Sequence, residues 1–205
     1  MQQNERLSAV MSALTTEHFA LQAASSSTVS EAAARSSLYV FSLSSALVAL
    51  GFAAQSPSGF KPFAAAVLPA VFVLGLFTTV RLVDTVLENM QYLARIAEIR
   101  GYYRTLTPES REYFAPNTGR WPEAKATPSL QLGQLAAWFG TTASMIAFIN
   151  SFVAGAGATL LADELLSGRR FGIAVGAGMS TFLLLLILSL LYQRWRFSLL
   201  DLARC

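Results

Sequence analysis

The sequence predicts an all-α integral membrane protein, a four-helix bundle of transmembrane spans with cytoplasmic helical extensions, and three observations carry that prediction. The 205 residues are 54% hydrophobic and only 13% charged, about half the charged share of a soluble domain. Four uncharged runs are each long enough to cross a hydrocarbon core of about 30 Å as a helix. None of them alternates polar and apolar positions, and an open sheet edge cannot face lipid, so strands are set aside. Four spans consume about 80 to 90 residues. What remains favours one compact bundle without a separate catalytic module.

Residues 1–34 read as a cytoplasmic amphipathic helix. Leu7, Val10, Met11, Leu14, His18 and Leu21 form a stripe at helical spacing, which packs beside another helix or lies on the membrane surface. Glu5, Arg6, Glu17, His18 and Glu31, with no apolar core run between them, depart from the order of a cleavable signal peptide. The first span is therefore expected to stay as an anchor. Thr28-Val29-Ser30-Glu31 has the spacing of a capping box and predicts a helix start just before that span.

The first span is predicted over 35–55, where SSLYVFSLSSALVALGFAA runs uncharged to Gln55 and meets Pro57 and Gly59. The second begins after Pro62 with FAAAVLPAVFVLGLFTTV. It does not stop at the membrane. From Leu82 onward apolar residues keep a helical period, while Arg81, Asp84, Glu88, Gln91, Arg95 and Glu98 advance by threes and fours along the opposite face. One helix over 63–106 follows, about 66 Å long at 1.5 Å per residue, with half of it projecting into the cytoplasm. Pro69 inside it is expected to shape the bundle by a kink. Residues 107–133 form a cytoplasmic loop in which Thr107, Pro108 and Glu109 supply an N-cap, an N1 proline and an acidic second position for a short helix ending near Phe114. The third span is predicted over 134–162, the fourth over 171–195, and 196–205 as a cytoplasmic tail.

Orientation follows from the cations. With the N-terminus inside, twelve of the fifteen Lys and Arg fall on the cytoplasmic side, and only Lys61, Arg169 and Arg170 lie outside. That bias places both termini and the large loop in the cytoplasm. Tyr39, Trp138, Tyr192 and Trp195 are then expected near the inner headgroups.

The residues that bear on function are polar or small. Gly172, Gly176 and Ser180 recur every four residues in the fourth span, with Ala174 and Gly178 beside them. In lipid such residues let helix backbones approach closely, either against the third span or against a second subunit. Gly176 should therefore resist large substitutions. The third span carries Thr141, Ser144 and Asn150, which either bond between helices or line a hydrated path. Arg81 and Asp84 stand at the inner mouth of the second span, as a pair three residues apart or as a ring around an axis.

No Asp, Glu, Lys, Arg or His lies in the middle of a span, which argues against proton relays and intramembrane catalysis. In the loop region Arg100, Tyr103, Arg104, Arg111 and Trp121 combine cations with aromatic rings. They read as contacts for an anionic ligand or a soluble partner, or as the stitching of a small cytoplasmic cap. His18 is the single histidine and Cys205 the single cysteine. A Ser/His or Cys/His catalytic pair, a disulfide and a Cys-based metal site are therefore not expected.

The run LTTEHFALQAASSSTVSEAAARSSLYVFSLSSALVALGF, with ARIAEIRGYYRTLTPESREYF and AFINSFVAGAG, resembles a group of uncharacterised bacterial, actinobacterial-type four-span membrane proteins. The resemblance covers most of the chain and implies a place in the bacterial inner membrane. The plan is also loosely similar to small multi-span effectors of bacterial nucleotide-signalling and defence systems. The resulting expectation is a non-enzymatic homo-oligomer in the lipid bilayer, channel- or pore-like or membrane-perturbing. The alternative is a membrane scaffold or regulatory subunit docking a soluble cytoplasmic partner. No cofactor, metal or nucleic acid is expected.

Overall fold

The computed structural model describes residues 2–114, 141–166 and 170–202. They form α1 (Gln2–Ala53), α2 (Pro57–Tyr103), α3 (Ser110–Tyr113), α4 (Thr142–Leu165) and α5 (Phe171–Leu202), with no strand among them. Helices α1, α2, α4 and α5 are each long and apolar enough to cross a membrane. The fold is all-α and its long helices are those of a membrane-spanning protein.

Helix α1 is one uninterrupted element of 52 residues, where an amphipathic helix over 1–34 and a separate span over 35–55 were expected. The reason is compositional: residues 2–50 contain neither Gly nor Pro, so nothing stops propagation. Thr28 accordingly caps nothing, and its hydroxyl donates back to the Ser25 carbonyl at 2.7 Å within the helix. After a turn at Ala54 and Gln55, the Ser56 carbonyl accepts from the Gly59 and Phe60 N–H groups, and Pro57 takes the first helical position. Proline suits that place because it has no N–H to leave orphaned. Helix α2 thus starts six residues before the predicted Phe63 and holds both Pro62 and Pro69. It closes at Tyr103 rather than Leu106, ending in a turn in which Thr105 N–H donates to the Tyr102 carbonyl.

Thr107 and Ser110 close the turn before α3 reciprocally, each backbone N–H donating to the other's hydroxyl at 3.2 Å, and Glu109, not the expected Thr107, takes the N-cap position. In the third span α4 starts at Thr142, because Thr141 has extended backbone (φ −73°, ψ 146°) and takes the N-cap position. Residues 134–140, with Trp138 among them, lie outside the described residues. The predicted tail after 195 is helical through Leu202, as the last turns of α5.

The chain divides into two units. One comprises Met1–Glu31 and Thr85–Ala137. Its core is Leu21 against Ile96 and Ile99, joined by Leu14, Tyr92, Leu93 and Tyr103. Here α1 and α2 run antiparallel, since His18 meets Tyr103 with ring centroids 6.4 Å apart, while Ser25 donates to Asn89 Oδ1 at 2.6 Å. The other unit comprises Ala32–Asp84 and Trp138–Cys205. Its buried residues include Tyr39, Val71, Leu82, Val83, Ile146 and Ala174. Large apolar side chains such as Phe41, Phe77, Phe152 and Leu184 point outward from it, the surface expected where the solvent is lipid.

Candidate functional site

The second unit buries polar side chains at two levels, and both are tied across helices. At the first level Tyr39 of α1 is fully withdrawn from the surface, and its phenol donates to Asn150 Oδ1 of α4 at 3.3 Å. Tyr39 is therefore an interior residue, not the headgroup anchor expected of it. The third member is Gly75 of α2. A Cβ there would overlap the Asn150 carboxamide and stand 2.7 Å from Tyr39 Cε2, so three helices meet at a point that only glycine allows. Asn150 thereby accepts an interhelical hydrogen bond within one chain, the packing role open to it from the sequence.

At the second level Thr141 and Ser144 open α4. The Thr141 hydroxyl donates to Ser144 Oγ at 2.9 Å, and Ser144 Oγ donates to Gln193 Oε1 of α5 at 3.0 Å. Gln193 is 1% exposed, and its Nε2 finds no partner among the described residues. One turn further along α5, Arg196 forms an ion pair with Asp84 of α2. Asp84 thus bonds across helices to Arg196, a partner that the sequence did not name. Arg81 is half-buried one turn earlier on α2. Gln193 and Arg196 were not singled out from the sequence. A lone amide in the run LLLLILSLLYQ was the available signal, since an amide in lipid needs a partner.

The small residues of α5 divide into two faces. Ala174 and Gly178 point inward: a Cβ on Gly178 would meet the Gly155 carbonyl at 2.6 Å, and one on Gly155 would meet the Gly178 carbonyl at 2.9 Å. The backbones of α4 and α5 touch there, flanked by Phe182 stacked edge-on against Phe148 with centroids 5.4 Å apart. Gly172, Gly176 and Ser180 lie on an open face. Among the described residues a Cβ on Gly172 or Gly176 would meet nothing within 4 Å, and Ser180 Oγ donates to its own helix, at the Gly176 carbonyl. Packing of this stripe against the third span is thus corrected to Gly178 and Ala174. Among the described residues, nothing in the chain constrains Gly176.

In the first unit the cation and aromatic residues stitch α2 to α3. The Arg100 guanidinium lies 5.9 Å from the Phe114 ring centroid, and the Tyr103 ring lies 5.3 Å from it. Arg104 is half-buried behind Gly101, Arg111 is exposed on α3, and Tyr113 beside it is 80% exposed. Trp121 lies outside the described residues. Among the described residues no three His, Cys, Asp or Glu side chains gather into a metal-ligand group.

Comparison of the chain with family models, with curated proteins and with solved structures returns no match.

Proposed function

We propose that the chain works as a non-enzymatic, homo-oligomeric membrane protein of channel-like or membrane-perturbing type, whose subunits meet on the open face of α5. The observation that carries this reading is the contrast between the two faces of that helix. Gly178 is filled by α4, whereas among the described residues nothing stands before Gly172 and Gly176. Between helices in lipid there is no hydrophobic drive, and association rests on close backbone approach at small residues. A small-residue face left open in one chain suits a second copy of that chain. Ser144 and Asn150 are already bonded inside the subunit, so a permeation path in this reading runs between subunits and not through one. The bacterial inner membrane, with both termini inside, is the setting the cation bias favours, and defence or stress signalling is the role suggested by the similarity in plan to small membrane effectors.

The test joins stoichiometry to flux. In lipid nanodiscs, native mass spectrometry is expected to find oligomers of the wild type and a shift to monomer for Gly176→Leu. Vesicles carrying the wild type should lose a potassium gradient, and those carrying Gly176→Leu should hold it. A monomeric wild type in vesicles that keep their gradients overturns the reading.

A second reading, a scaffold docking a soluble partner, draws on the exposed Arg111 and Tyr113 of α3. Removing 101–133 should then abolish capture of that partner while leaving any flux intact.

A further inference from the structure

Between α2 and α4, at the end of the second unit where the chain turns from α1 into α2, lies a groove of about 800 Å³. That volume is within the range of about 300–1,000 Å³ typical of small-molecule sites. Its walls are Phe60, Leu68 and Phe72 from α2 with Val153, Leu160 and Leu161 from α4. The space exists because the facing positions are small: Ala64 and Ala65 oppose Ala154, Gly157 and Ala158. A Cβ on Gly157 would have only Leu68 Cδ1 near it, at 3.9 Å. Pro69 lies on the same wall and widens the choice of backbone path, since it lacks the N–H that would bond to the Ala65 carbonyl.

Three charged groups close one end. Lys61 Nζ stands 2.5 Å from Glu164 Oε2, and Asp163 completes the rim. Both members of the pair are more than half exposed, at 68% and 61%, so they remain available to a ligand. From Lys61 to Phe72 is eleven residues of α2, and from Glu164 to Val153 is eleven of α4. At 1.5 Å per residue each wall is about 17 Å long, close to half of a hydrocarbon core of about 30 Å. The groove therefore has the depth of one leaflet, with an apolar body and its charges at one end.

We propose that this groove is a binding site for a single phospholipid with an amine-bearing zwitterionic headgroup of the ethanolamine type. One acyl chain lies between α2 and α4 down to Phe72 and Val153. The phosphate sits on Lys61, and the ammonium is held by Asp163 and Glu164. Among the described residues that line the groove, the rim carries one cation against two carboxylates, a balance that suits a headgroup with its own positive end. The site is complete within one chain, so it stands whether the protein is a monomer or an oligomer.

The test uses the full chain in vesicles of equal parts phosphatidylethanolamine and phosphatidylglycerol, extracted gently and analysed by native mass spectrometry. The wild type is expected to keep one phosphatidylethanolamine in preference to phosphatidylglycerol by about fivefold, the ratio an exposed ion pair can supply. Asp163→Asn with Glu164→Gln should reverse the preference. Gly157→Leu, whose Cβ meets only Leu68 Cδ1 at 3.9 Å among the described residues and whose side chain extends into the groove, should abolish the adduct while thermal stability is kept. Equal retention of the two lipids by the wild type, or an undiminished adduct in Gly157→Leu, overturns the proposal. So does a fall in oligomer size in Gly157→Leu with lipid retention unchanged, which would assign the groove to a second copy of the chain.

Discussion

Tyr39 and Asn150 lie 111 positions apart in sequence and share one buried hydrogen bond, phenol to carboxamide oxygen at 3.3 Å. Gly75 closes on both of them. Interhelical hydrogen bonds in membrane proteins contribute about 0.6 kcal/mol on average and up to about 1.7. Tyr39→Phe is therefore expected to lower unfolding free energy by about 1 kcal/mol in a denaturant titration in detergent. Gly75→Val should cost more, about 2–3 kcal/mol, because two buried side chains must both move. Equal stability of Gly75→Val and the wild type would show that the three helices do not meet here.

The two glycines Gly176 and Gly178 stand two residues apart on α5 and should respond oppositely to the same substitution. Gly178→Leu drives a side chain into Thr159 and the Gly155 carbonyl and is expected to destabilise the subunit by about 1–3 kcal/mol. Gly176→Leu projects into open space and should leave subunit stability within about 0.5 kcal/mol of the wild type. Thermal melting of each variant in detergent measures the difference.

The Asp84–Arg196 pair ties α2 to α5 with both side chains about one-third exposed. A double-mutant cycle with Asp84→Asn and Arg196→Gln is expected to give a coupling of about 1 kcal/mol. It should shrink as salt is raised from 0.01 to 1 M, a span over which the Debye length falls from about 30 to 3 Å. A coupling of zero at low salt would remove the pair from the account of how α5 is held.

Gln193 is buried with one end of its amide bonded to Ser144 and the other without a partner among the described residues. Gln193→Leu takes away an acceptor from Ser144, and Ser144→Ala takes away the donor to Gln193. Each single change should destabilise by about 1 kcal/mol, and the double should cost less than their sum. Strict additivity would mean that the bond contributes nothing.

The positions of the long helices were readable because each depends on a local property. An unbroken uncharged run is an apolar helix wherever it lies, whereas the starts at Pro57 and Thr142 were not legible, since Pro57 reads as the end of the first span and Thr141 as a polar residue inside the third. The boundaries that went astray did so for the same local reasons, read too strongly. The spacing at Thr28 resembles a cap, but a capping side chain only matters where a helix has already ended, and nothing between residues 2 and 50 ends one. The site residues were less legible. Asn150 and Ser144 announced that they needed partners, as any amide or hydroxyl in lipid does, yet their spacing said nothing about Tyr39 or Gln193. Tyr39 was mistaken for a headgroup anchor because an amphipathic ring suits either place.

Composition and periodicity by themselves determined that this protein is helical, crosses a membrane with four apolar helices and carries small and polar residues within them. Those are properties of single helices, governed by backbone hydrogen bonding in lipid and by residue size. Only the tertiary structure decided which face of α5 is filled and which is open, that Asp84 reaches Arg196, and that a leaflet-deep groove lies between α2 and α4. The reason is that a stripe of small residues permits close approach without naming the partner, and the partner is chosen by the rotation of each helix within the bundle.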